Sequence, residues 1–305
     1  MKNPLVSIII INWNGREILK KCLSSIRENT IYPNYKIVVF DNGSTDGSVE
    51  MIKKVFPYVK LIRNKENLGF VKANNQAIKS IESDYYFLLN NDTEVTRNWL
   101  TSMIEVSESD SKIGIIGCKL ISLNGETIHA GGLITIRDPG QTDPRYLRER
   151  TDELREVDCV AGAAFLIKKE VIDKIGLLDE GFSPFWFEET DYCVRARKAG
   201  YKIIYNPKTV IVHHAAYSLK RRDSAFVFFV REKNLIRFLL LNFPLLWLIL
   251  RIPYQVKRMG AILAGRYGKT SKCLPLLAKA WLINLKGLRE ILEKRRNRTM
   301  KIGCQ

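Results

Sequence analysis

Three runs of strand-forming apolar residues in the first ninety-two positions each stop on Asn or Asp. Val6–Ile11 ends at Asn12, Ile37–Phe40 ends at Asp41, and Tyr85–Leu89 ends at Asn90-Asn91-Asp92. Each run is too short for a helix and too apolar for a half-exposed strand. It therefore reads as a strand buried on both faces of a parallel sheet. Helical stretches follow. Ile18, Leu19, Cys22, Leu23 and Ile26 share one face over residues 14–27, and Ser44–Ser48 has the small polar residues of a helix start. Strand alternating with helix gives an open α/β sheet, whose ligands sit beyond the carboxyl ends of the strands. Asp41 and Asp92 are expected to line one crevice there, an arrangement that suits a nucleotide and a metal.

The pattern continues with a strand at Val59–Ile62, a helix at Phe70–Ile81 and another at Trp99–Ser107. Strands are predicted at Ile113–Ile121, Thr127–Ile136 and Val157–Ile167, with the polar residues 137–156 as a mobile loop over the site. A helix over Glu188–Ala199 and two short strands, Lys202–Tyr205 and Val210–Val212, complete a catalytic-type domain at residues 1–218.

Residues 219–305 read as a separate helical extension. It holds 20 Lys/Arg against 4 Asp/Glu, whereas the preceding residues hold 29 against 28, so the net charge of +17 sits almost wholly in the tail. Such asymmetry calls for a polyanion, either membrane lipid or nucleic acid. Phe238–Leu250 is nearly all apolar, but its 13 residues are broken by Asn242 and Pro244. As a helix it would span roughly 20 Å against a hydrocarbon core of ~30 Å, so it should lie on or re-enter a membrane rather than cross it. Leu274, Leu277, Ala278, Trp281, Leu282, Leu285, Leu288 and Leu292 follow helical spacing, with Lys and Arg on the remainder. That is the pattern of an interfacial anchor on an anionic membrane surface. A nucleic-acid binder would interleave aromatics with the basic patch, so no nucleic-acid partner is expected. The six cysteines form no CxxC pair, which argues for free thiols in a reducing compartment and against zinc. Met-Lys-Asn-Pro leads straight into the first strand without a signal peptide. The expected location is therefore cytoplasmic, peripheral on the inner face of the cell membrane.

Several clusters carry chemistry. Asp41, at a buried strand tip, either accepts from a base N–H or ribose hydroxyl or caps the next helix. The amides around Asn67, Gly69 and Asn74 suit base edges and sugar hydroxyls, and they open a helix whose N-terminus attracts phosphate. Asp92 supplies one hard oxygen ligand for Mg²⁺ or Mn²⁺, with diphosphate oxygens and waters as the others. In Phe185-Trp186-Phe187-Glu188-Glu189-Thr190-Asp191-Tyr192 the aromatics give carboxylates an apolar setting that raises their pKa, as a general base requires. Asp191 is also spaced to pair with Arg195. His213 and His214 follow the last strand, and either a metal-ligand role or a structural one is open to them.

Taken in order, Val6–Gly15, Val38–Ser48, Asn67–Ile78, Phe87–Val95, Gly162–Ile167, Phe187–Arg195 and Val210–His214 resemble the family 2 glycosyltransferases, particularly their rhamnosyltransferase-like group. The resemblance implies a GT-A fold, Rossmann-like with a mostly parallel central sheet, and inverting, metal-dependent transfer from a nucleotide diphosphate sugar. It would place Asp41, with Asn12, Asn67, Gly69, Asn74 and Asn91, against the donor. It would place Asp92 and His213 at the metal and Glu189 as general base, with Asp191 as the fallback. Two residues depart from the family pattern: Asn90 stands at the first acid of the metal motif, and Glu189 stands where Asp is usual. The acceptor implied is a glycan or a lipid-linked glycan hydroxyl. Alternatives are a polyprenyl-phosphate sugar synthase, a nucleic-acid-binding protein and a catalytically silent sugar-binding module.

Overall fold

The computed structural model describes residues 3–135, 139–141, 151–214, 223–264 and 270–303. Most of the loop predicted at 137–156 lies outside the described residues. The chain forms two compact units. One comprises Met1–Leu133, Gly140–Pro184 and Glu188–Ala215; the other comprises Ile134–Pro139, Phe185–Phe187 and Ala216–Gln305.

The first unit is built on a ten-stranded sheet. Its strands are β1 (Val6–Asn12), β2 (Tyr35–Asp41), β3 (Lys60–Arg63), β4 (Tyr85–Asn90), β5 (Thr93–Val95), β6 (Ile113–Ile121), β7 (Thr127–His129), β8 (Arg155–Glu156), β9 (Ala164–Lys168) and β10 (Lys202–His213). The three apolar runs form β1, β2 and β4 at the centre, with β1 parallel to both neighbours. Ile8, Ile9, Ile10, Val38, Val39, Phe87 and Leu88 are fully buried, each stabilising the fold by ~1.5–3 kcal/mol. The helices α1 (Arg16–Asn29), α2 (Ser48–Val55), α3 (Phe70–Lys79), α4 (Trp99–Glu108), α5 (Lys169–Ile175) and α6 (Glu188–Lys198) complete this unit.

The sheet runs β8-β10-β6-β9-β4-β1-β2-β3, with β5 on β10 and β7 on β6. It is mixed rather than mostly parallel, which corrects the expectation. β9 inserts antiparallel between β4 and β6, because the chain enters it from the opposite end after its excursion past β7. β9 is also shorter than the predicted Val157–Ile167 strand: Val157–Ala163 stays irregular ahead of it. The two short strands foreseen at 202–212 are one strand, β10, with a register shift between Asn206 and Val210. The described cysteines, Cys22, Cys118, Cys159, Cys193 and Cys273, are buried, and no disulfide joins them among the described residues.

The second unit contains α7 (Ser224–Asn242), α8 (Leu245–Leu250), α9 (Ile252–Leu263), α10 (Thr270–Lys286) and α11 (Leu288–Gly303). Asp223 caps α7 by accepting from the Ala225 N–H at 3.1 Å. α10 and α11 pack on α7, and Arg237 of α7 pairs with Glu290 of α11 at 2.9 Å. The apolar run Phe238–Leu250 is not one surface segment. Phe238, Leu239 and Leu241 belong to the core of this unit, whereas Leu246, Ile249 and Leu250 are exposed. Pro244, which cannot continue the α7 hydrogen-bond ladder, divides the two halves. Among the described residues no helix is long and apolar enough to cross a membrane.

Candidate active site

Strand register brings the first group of side chains together. Asn12 lies opposite Asp41, and Ile11 lies opposite Asn90. Buried Asn12 donates from Nδ2 to Ser44 Oγ at 3.2 Å and stands 3.5 Å from Asp41 Oδ1. Its Oδ1 accepts from Asn91 Nδ2 at 2.9 Å. Asp41 accepts the Ser44 N–H on Oδ2 at 3.0 Å, so it does tie down the turn into α2. Among the described residues its other oxygen has only the long Asn12 contact, leaving lone-pair capacity for a ligand. Asn12, Asp41 and Asn91 thus form one polar network at the carboxyl edge of β4, β1 and β2. Gly15 covers it: a Cβ there would lie 2.6 Å from Asn91 Nδ2 and 2.9 Å from Asn12 Oδ1. That requirement was missed from sequence, although a Gly directly after the strand-ending Asn12-Trp13-Asn14 was the available signal.

The amide-rich loop is organised by Asn42, a second omission. Its Oδ1 accepts from the Leu68 N–H at 3.0 Å, and its Nδ2 donates to Asn67 Oδ1 at 2.9 Å. Asn67 Oδ1 also accepts from the Gly69 N–H at 2.8 Å. Asn67 therefore shapes the loop. Gly69 sits at φ +79°, and a Cβ on it would approach Pro184 to 3.0 Å. The Phe70 N–H donates to the Pro184 carbonyl at 2.9 Å, locking the start of α3 onto the turn that precedes α6. Asn74 is placed differently from the expectation. It is buried and donates to the Phe70 carbonyl of its own helix at 2.9 Å, because a short amide on an inward helical face finds the carbonyl one turn back.

Asp92 sits just past β4, where β5 pairs antiparallel with β10 and puts Thr93 opposite His213. Asp92 is buried, and its Oδ1 lies 3.2 Å from His213 Nε2. That approach is not aligned as a hydrogen bond, so among the described residues Oδ1 is a buried acceptor with no donor on it. His214 is otherwise engaged: its N–H donates to the Asp92 carbonyl at 2.9 Å and its Nε2 meets Glu94 Oε1 at 2.6 Å. The register thus separates the two histidines, with His213 facing the aspartate and His214 paired elsewhere. Among the described residues no cluster of three His, Cys, Asp or Glu side chains could hold an ion by itself. One carboxylate and one imidazole, completed by diphosphate oxygens and water, are a fitting set for Mg²⁺ or Mn²⁺. His129, unremarked in the sequence, is the third imidazole here. Burial, then the neighbouring His213, push its pKa down to about 4, so it is neutral.

Glu188 and Glu189 open α6, where the dipole favours acids. Burial raises Glu189 to about 7, against the lowering effect of backbone and Thr190 hydroxyl donors. Glu188 is raised further by burial and by the Glu189 charge, and its Oε2 has no hydrogen-bond partner. Gly162 lies against Glu189: a Cβ at that position would stand 3.4 Å from the carboxyl carbon. The aromatic residues just before, in the second unit, are unusual in backbone. Trp186 and Phe187 have φ of 76° and 70°, a costly conformation for bulky residues. Asn234 Nδ2 holds the turn by donating to the Phe185 and Trp186 carbonyls at 2.7 and 3.0 Å.

Asp191, the fallback base, is fully buried and paired with Arg195 Nε at 2.9 Å. Arg195 also donates to the Ile175 and Leu177 carbonyls at 2.9 and 2.8 Å. The pair latches α6 to the turn after α5, which is a structural duty. Asp191→Ala is expected to lower stability by ~3–5 kcal/mol, because it strands a buried guanidinium. A denaturant titration checks this. Lost turnover at unchanged stability would instead make Asp191 a chemical group.

The family model described as glycosyl transferase family 2 matches residues 7–176. An N-acetylglucosaminyl-diphospho-decaprenol L-rhamnosyltransferase of Mycobacterium tuberculosis is 23% identical over 243 residues, covering 71% of this chain and 78% of that protein. Among solved structures, GalNAc-T7 with UDP, GalNAc and Mn²⁺ has a TM-score of 0.62 at 20% identity, covering 78% of this chain and 48% of its own. The mannosyltransferase PcManGT of Pyrobaculum calidifontis, with GDP-Man and Mn²⁺, has a TM-score of 0.60 at 17% identity, covering 99% of this chain and 87% of its own. The chain spans only 26% and 18% of two further curated relatives, which it matches at 28% and 24% identity.

Proposed function

The chain belongs to glycosyl transferase family 2, and on that premise we propose that it moves a sugar from a nucleotide diphosphate donor to an acceptor hydroxyl, with inversion. The observation that carries this reading is the buried, donor-less Asp92 Oδ1 facing His213, on the same sheet edge as Asp41. Asp41 takes a base N–H or ribose hydroxyl of the donor, positioned by Asn12 and Asn91. Asn67 and Gly69 hold the loop that borders the donor. Asp92 and His213 would hold Mg²⁺ or Mn²⁺, which when bound neutralises charge growing on the diphosphate leaving group. Glu189 accepts the proton of the acceptor hydroxyl as its oxygen attacks the anomeric carbon from the face opposite the diphosphate.

A base tuned near neutrality favours a hydroxyl acceptor over a phosphate, which needs no strong base. That ranks glycan extension above polyprenyl-phosphate sugar synthesis. The named activity of the mycobacterial relative supports a lipid-linked glycan acceptor, and on that reading the chain works in cell-surface polysaccharide or lipid-linked glycan synthesis.

A thermal-shift screen of nucleotide sugars with Mn²⁺, followed by transfer assays on the stabilising donor, tests the reading. Chelation is expected to drop transfer to background, and Mn²⁺ or Mg²⁺ to restore it. Transfer that survives chelation would remove the metal from the scheme. An acid-labile phosphoester product would favour the phosphate-acceptor alternative.

A further inference from the structure

The second unit hides the wrong side of its helices for a protein that meets only water. α10 and α11 bury Cys273, Ala280, Asn284 and Ile291. They leave out the large residues of the neighbouring stripe: Trp281 is 45% exposed, Leu285 56% and Leu292 50%. α9 does the same. Ile252, Val256, Met259 and Leu263 recur at helical spacing on one face, and they are exposed by 53%, 65%, 36% and 58%. Exposed apolar stripes of this extent mark a surface made for a partner. Lys257, Lys279, Lys286, Arg289 and Arg296 stand exposed on the same helices, within a segment of 20 Lys/Arg and 4 Asp/Glu.

We propose that the second unit docks on an anionic lipid leaflet through two apolar stripes, Ile252–Leu263 of α9 and Trp281–Leu292 of α10 and α11. Charge complementarity selects this occupant. Apolar stripes on helices that also carry exposed cations match a negatively charged interface, where acyl chains take the leucines and the tryptophan and headgroups take the lysines and arginines. A second copy would bring the same positive surface against itself. The stripe on α9 lies outside both the apolar run Phe238–Leu250 and the amphipathic stretch Leu274–Leu292 read from the sequence. The inference rests on this surface alone and stands whether or not the catalytic reading holds.

Flotation of the full chain with vesicles tests it, using phosphatidylglycerol-containing vesicles, pure phosphatidylcholine vesicles and a single-stranded oligonucleotide. Capture by the anionic vesicles is expected. The pairs Val256→Glu with Leu263→Glu, and Trp281→Glu with Leu285→Glu, should each reduce the captured fraction roughly tenfold or more. Their thermal midpoints should stay unchanged, since the altered side chains are exposed. Brominated lipid should quench Trp emission in the parent more than in Trp281→Phe. Equal capture by phosphatidylcholine, capture by the oligonucleotide alone, or no capture at low salt would each overturn the proposal. So would a dimer in light scattering that the Glu variants dissolve while vesicles capture nothing. Nucleotide-sugar thermal shifts on the same preparations report the catalytic reading separately.

Discussion

Asp92→Ala is expected to reduce transfer by roughly 10³-fold or more, the equivalent of several kcal/mol of lost leaving-group stabilisation. Asp92 is the one carboxylate at the end of β4, because Asn90 and Asn91 precede it. Asn91 is already committed to Asn12 at 2.9 Å, and the next acid, Glu94, is engaged with His214 at 2.6 Å. The fold should tolerate the change, since the Asp92 carbonyl continues to accept from the His214 N–H and Oδ1 carries no hydrogen bond that is lost. Following nucleoside diphosphate release under saturating Mn²⁺ measures the effect. Calorimetry without metal should find nucleotide binding retained through Asp41. Parent-level turnover in the variant would end the role given to this carboxylate.

Glu189→Gln is expected to lower turnover by roughly 10²-fold or more while sparing donor binding. The parent should show a kcat/KM that climbs with pH and levels off above about 7, since Glu189 is held at about 7 by burial and must be ionised to accept a proton. The Gln variant should lose that limb. A stability effect of opposite sense accompanies it. Glu189 binds its proton more tightly folded than unfolded, so stability is greatest below the ordinary glutamate range and falls as pH rises through about 7. The Gln variant, which cannot ionise, should therefore be the more stable protein above pH 7. An unchanged pH profile in Glu189→Gln would move the base elsewhere.

Much of the frame was legible in the sequence because burial on both faces leaves a plain record. The runs ending at Asn12, Asp41 and Asn90 are apolar but for Ser7, and they became β1, β2 and β4. The start of α6 was legible from its acids. What escaped depended on pairing across long stretches of chain. Nothing local tells β9 to run antiparallel between β4 and β6. The resemblance singled out His213, but that it rather than His214 faces Asp92 follows from the register of β10 on β5, which a one-residue slip would reverse. Asn42 and Asn74 are both amides near helix starts, yet one organises a loop and the other turns into its own helix. Phe238–Leu250, though broken by Asn242 and Pro244, read as one surface segment because composition does not report that its first half is buried and its second half exposed.

Gly69 against Pro184 has a further consequence. The loop holding Asn67 and the turn leading to Glu189 touch with no room for even one added methyl, and Phe70 is hydrogen-bonded across the same seam. Two segments more than a hundred positions apart therefore behave as a single mechanical part. Chimeras that import either one from a relative should fail unless both halves of the seam travel together, so recognition and chemistry in this enzyme must be redesigned as a matched set.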